Sequence, residues 1–131
     1  MFDSQTIQMQ GTTSTVLYSP WFPRGGDYGI FTLELVGVGG SGTPTLTIAL
    51  LHKNASDPGD GDPAATGSGS TISRTTAGRT SLDLAAGTGG TSAMVGFKEL
   101  VRYQFTISGG ATNITSWATF RMLAPVWYDK V

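Results

Sequence analysis

A hydrolase or a metal centre would have to be assembled from histidine and carboxylates, and this chain has few of them. His52 is the single histidine among 131 residues. A Ser-His-Asp relay needs that imidazole beside a nucleophile and an orienting carboxylate. His52 instead sits near the end of an alternating strand, where a partly buried, hydrogen-bonded structural histidine is expected. Asp57, Asp60 and Asp62 share one Gly- and Pro-rich loop, and oxygen ligands on a loop are what Ca²⁺ takes. Their spacing is not that of an EF-hand and no bidentate Glu follows, so the loop reads as solvated turn formers. Glu34 and Glu99, the only glutamates, would have to face each other across a cleft to act as a glycosidase pair. Their neighbours place one on a strand face and the other in a loop. Gly67-Ser68-Gly69-Ser70 lacks the Lys and the following helix of a phosphate-binding loop. No catalytic residue, cofactor site or metal site is therefore expected.

The aromatic residues say more. Trp21 lies in a segment bounded by Pro20 and Pro23, Trp117 on a strand, and Trp127 near the C-terminus. Core or satellite packing is expected for Trp21 and Trp127. Trp117 differs, because its neighbours of the same parity are Thr115, Thr119 and Arg121. An outward Trp beside Arg suits a protein interface, where both are enriched as anchors, and would equally suit stacking on a sugar ring.

These side chains are carried by strands. Between Leu100 and Leu123, Val101, Tyr103, Phe105 and Ile107 alternate with Arg102, Gln104, Thr106 and Ser108. Ile114, Ala118, Phe120 and Met122 then alternate with Thr115, Trp117, Thr119 and Arg121. With Gly109 and Gly110 between them, the two runs predict a β-hairpin in which Ile107 meets Ile114, Phe105 meets Ser116, Tyr103 meets Ala118 and Val101 meets Phe120. A slip of one residue would turn each apolar set to solvent. Tyr28 to Val38 and Thr45 to Lys53 predict a second hairpin across a turn at Gly39 to Thr43. Two hairpins burying their apolar faces against each other make a sandwich.

Shorter strands are expected at Thr12 to Tyr18, Thr80 to Ala85 and Ala93 to Phe97, with Ser19 to Pro23 as a break. Asn54 to Ser70 reads as a long loop. The expected fold is all-β: an antiparallel β-sandwich of eight or nine short strands, jelly-roll-like, with little or no helix. Residues 1–11 read as an N-terminal arm or edge strand, 12–124 as the sandwich domain, and 125–131 as a C-terminal tail.

Charged residues are 13% of the chain and the formal net charge is −1, which argues against an electrostatic nucleic-acid binder. No apolar run approaches the roughly 20 residues of a membrane-spanning helix, and neither a basic n-region nor an apolar h-region opens the chain. With no Cys, folding rests on the core alone.

Length, absence of Cys, Gly/Thr/Ser-rich strands, a short N-terminal arm and the closing pattern VRYQFTISGG…ITSWATFRMLAPVWYD together resemble the small decoration (cement) proteins of tailed-phage capsids. The resemblance implies a non-enzymatic virion protein, made in the host cytoplasm and placed on the capsid surface. It further implies binding to the major capsid protein as a homo-oligomer, without a cofactor. On this reading Trp117, Arg102 and Arg121 form an outward patch, Trp21 is a further contact, and the termini, with Phe2 and Trp127, reach neighbours. The alternative is a carbohydrate- or receptor-binding β-sandwich module, tail-associated or Ca²⁺-dependent, using the stacking aromatics and the Asp57 to Asp62 loop.

Overall fold

The structure is a computed structural model describing residues 6–11, 15–26, 28–40, 42–59, 61–63, 71–84, 97–110 and 116–128. Among these residues every element is a strand. In chain order they are β1 (Ile7–Gly11), β2 (Thr15–Tyr18), β3 (Phe22–Pro23), β4 (Tyr28–Gly39), β5 (Gly42–Lys53), β6 (Asp62–Pro63), β7 (Ile72–Arg74), β8 (Gly78–Leu84), β9 (Leu100–Gly110), β10 (Ser116–Met122) and β11 (Val126–Tyr128). They form two antiparallel sheets packed face to face, the β-sandwich expected from the alternation.

Sheet I holds β1, β10, β4, β8 and β11; sheet II holds β2, β9, β5, β3, β6 and β7. Overlaps in register fix the edges. β8 and β10 both pair with residues 33–35 of β4 and so flank it, while β11 overlaps β8 and must continue the β10 side beyond Pro125. By the same reasoning β2 and β3 share one side of β9, and β5 takes the other. Each sheet is thus four strands wide, the short strands extending longer ones, which accounts for eleven segments where eight or nine were expected. Strands β1, β2, β4 and β5 pair with β10, β9, β8 and β7, the first half of the chain against the second in reverse order. That winding is a jelly roll.

Neither expected hairpin forms. β9 lies in sheet II and β10 in sheet I, so the chain crosses the sandwich between them instead of turning back within a sheet. Phe105 and Phe120 meet across the layers with ring centroids 4.9 Å apart. β4 and β5 are likewise split between sheets, and β9 pairs with β5 (Ile48↔Phe105, Leu50↔Tyr103) while β10 pairs with β4. Both crossings lie at the same end, with Gly42 opposite Gly110. Gly109 has φ +80°, and a Cβ there would sit 2.6 Å from the Thr43 carbonyl oxygen, so a side chain would be both strained and blocked. Alternation specified which side of each strand is greasy, and two inward faces satisfy that pattern as well as a hairpin does. Ile114, the expected partner of Ile107, lies outside the described residues.

The core between the sheets is built from the predicted inward set, Val101, Tyr103, Phe105, Ile107, Ala118, Phe120 and Met122, with Phe31, Leu33, Leu35, Leu46, Ile48 and Leu50. At one end Phe31, Phe97 and Trp127 pack edge-to-face, with centroids 5.5–5.8 Å apart. Trp127 is thus partly buried against the core, the satellite packing expected of it. The expected C-terminal tail is strand β11 as far as Tyr128, with Trp127 opposite Gly29. The expected arm is edge strand β1 from Ile7, tied to β10 (Met9↔Ala118); Phe2 lies outside the described residues.

Candidate interaction surface

Trp117 lies on the outer face of sheet I, as its parity predicts, between Gln10 of β1 and Gly39 of β4. A β-bulge puts that glycine beneath it. Phe120↔Leu35 is followed by Thr119↔Gly37, so Val36 is the extra residue. The bulge turns Val38 towards the core and brings Gly37 and Gly39 under the indole. A Cβ on Gly37 would lie 3.2 Å from Trp117 Cη2, and one on Gly39 only 2.7 Å from Cζ2. Val36 itself is pushed out and 61% exposed, beside a Trp117 that is 39% exposed.

One rung along from Thr119 and Gly37, three charges cross three strands. Glu34 of β4 pairs with Arg79 of β8 on one side and Arg121 of β10 on the other. Its Oε2 is 2.7 Å from Arg79 Nη2 and its Oε1 is 2.9 Å from Arg121 Nη2. The Arg79 hydrogen bond, with the charge of Arg121, holds the Glu34 carboxyl below its ordinary range. The next rung is neutral, with Thr32 and Ser81 hydroxyls 2.8 Å apart.

Arg102, expected beside Trp117 and Arg121, stands on the opposite face of the molecule. It is on β9, and its parity points to the outer side of sheet II. There it meets Trp21. Tyr18↔Gln104 and Phe22↔Val101 set a four-residue step against a three-residue one, so a second bulge lies at Pro20 and Trp21. Ser19 anchors it, its N–H donating to the Tyr103 carbonyl (3.0 Å) and its Oγ accepting from the Tyr103 N–H (2.9 Å). The Arg102 guanidinium carbon lies 4.2 Å from the Tyr18 ring centroid and 4.6 Å from that of Trp21, and Lys53 Nζ is 5.0 Å from the Trp21 ring. Leu51, between Arg102 and Pro63 in the ladders, is buried although its parity points outward.

Edge strand β2 also exposes Val16, Leu17 and Tyr18, at 42–45%. Neither this edge nor the Arg79–Glu34–Arg121 rung is read from the sequence. The Gly37-x-Gly39 spacing inside a strand was the available signal, since interior glycines mark bulges and close approaches.

His52 is buried, edge-on to Phe97, and its Nδ1 accepts the Lys98 backbone N–H at 3.1 Å. An acceptor nitrogen must be unprotonated, so the ring serves as a neutral strut under residues 97–99. Asp57 closes its own turn, its Oδ2 accepting the Asn54 N–H (2.9 Å) while its N–H donates to the Asn54 carbonyl (3.0 Å). Asp60 and the Asp62 side chain lie outside the described set, and no cluster of three potential metal ligands occurs among the described residues. The Glu99 carbonyl accepts from the Arg24 backbone N–H.

Comparison with known proteins finds no matching family model, no matching curated protein and no matching solved structure.

Proposed function

We propose that this chain is a non-enzymatic structural protein of a virion that decorates a tailed-phage capsid by binding its major capsid protein. The observation that carries the reading is the outer face of sheet I. A Trp and a Val stand exposed beside paired arginines on a four-stranded surface, the composition of an interface centre. Arg102, Trp21 and Tyr18 lie apart from this face, on sheet II, stacked on one another. Weak single contacts gain by acting together in an oligomer on a repeating shell. The protein works on the capsid surface after synthesis in the host cytoplasm and uses no cofactor.

Mass spectrometry of purified particles tests the location: the chain should be recovered with the shell in many copies. Trp117→Ala should then weaken shell binding on the order of tenfold while leaving the fold intact. Loss of folding would mean that the indole serves stability and not contact.

The second reading, a carbohydrate- or receptor-binding module, is favoured by one feature, the exposed Tyr18 beside Trp21 at one end of sheet II. Glycan-array binding abolished by Trp21→Ala would move the assignment there.

A further inference from the structure

We propose that the outer face of sheet I docks a protein surface presenting a carboxylate flanked by apolar side chains, the carboxylate on Arg79 and Arg121 and the apolar part over Val36 and Trp117. This rests on the reading of the chain as an interaction protein and names the partner's chemistry.

The rung contains two guanidiniums and one carboxylate, so it keeps one positive charge after its internal pairing. Each arginine reaches Glu34 through Nη2, which leaves Nη1 as a further donor on side chains 63% and 39% exposed. Glu34 sits between them in register, one strand from each, and each guanidinium is a planar donor fork. A second carboxylate fits such a planar fork, with strong, directional, charge-assisted hydrogen bonds. Val36 lies two residues from Glu34, and Trp117 lies four residues before Arg121 on the same face. The positions between and beside them are uncharged: Gln8, Gln10 and Thr119. The nearest further acidic register position, Asp83 opposite Ile30, is beyond the neutral Thr32–Ser81 rung, away from Trp117. A lysine-bearing surface would meet like charge here. A nucleic acid would find one net positive charge on a chain of net charge −1, too little for counter-ion release to drive binding. A protein carboxylate beside greasy side chains matches both parts of the face.

The test is a charge series on one rung, measured as binding to purified capsid shells that lack this chain. Glu34→Gln raises the rung to two positive charges and should tighten binding several-fold, whereas Arg79→Glu should weaken it by about tenfold or more. Thermal melts confirm that each variant folds, as expected for side chains on the outer face. The opposite order, or no response to either change, overturns the proposal while wild-type binding still supports the capsid reading. Should the wild type bind no shell, the capsid reading fails and panning a random dodecapeptide library on the full chain decides the inference. Recovered peptides rich in Asp or Glu next to apolar residues, and lost on Arg79→Glu, support it. Basic or charge-free peptides refute it.

Discussion

On sheet I, Trp117 rests on two glycines and Arg121 is tied to Glu34; on sheet II, Trp21 has Arg102 and Lys53 over its own ring. The ingredients are the same, an aromatic and a cation beside a bulge. Their partners differ, and so does what remains for a visitor. Where the cation is matched by a carboxylate, the indole keeps exposed surface and the guanidiniums keep donors. Where the cation is stacked on the aromatics, Arg102 and both rings are already engaged with one another. Sheet I therefore looks outward, and sheet II at this end ties its edge strand to the body of the sheet.

The largest test asks whether the two faces are independent at all. Phe105→Ala empties a contact shared by both sheets and should cost about 3–5 kcal/mol, unfolding both faces together in a single denaturant transition. Separate transitions would show that the sheets do not share one core. Gly39→Ala acts on sheet I alone. Its methyl must displace Trp117, at about 1–3 kcal/mol, and Trp117 fluorescence should shift while the sheet II cluster stays intact. A variant as stable as the wild type would mean that the indole is not seated on β4. Arg102→Ala removes two cation–π contacts on sheet II and should cost about 1–2 kcal/mol, seen as a lower urea midpoint. If it weakened shell binding more than folding, the contrast between the faces would be reversed.

The smallest effect is acid sensitivity. Glu34 has its carboxyl pKa depressed in the folded state, first by the Arg79 hydrogen bond. Its stabilisation is therefore complete above the unfolded carboxylate value, about 4.3, and is lost as pH falls through the lower folded value. Melting curves at pH 6 and pH 3 should differ more for the wild type than for Glu34→Gln. Equal acid sensitivity in both proteins would place the acid response elsewhere.

Much of this was legible in the chain. The alternation around Phe105 and Phe120 identified the inward residues, and the Thr/Arg parity around Trp117 placed its indole outside. Arg102 falls beside Trp117 only if β9 and β10 pair, and they lie in different sheets. Pro125 reads as the start of a tail, but the Leu123 N–H still donates to the Thr32 carbonyl (3.0 Å), and the chain re-enters the ladder beyond the proline.

Period-two patterning is a local property, so the sequence by itself determined the fold class and which side of each strand is buried. Which strand lies beside which depends on hydrogen-bond partners drawn from distant parts of the chain, and a glycine at positive φ allows the chain to cross the sandwich without disturbing the alternation. Tertiary structure alone therefore decided that Arg102 and Trp117 face opposite ways, and that bulges at Val36 and at Pro20–Trp21 lift one residue each out of register to make the two surfaces.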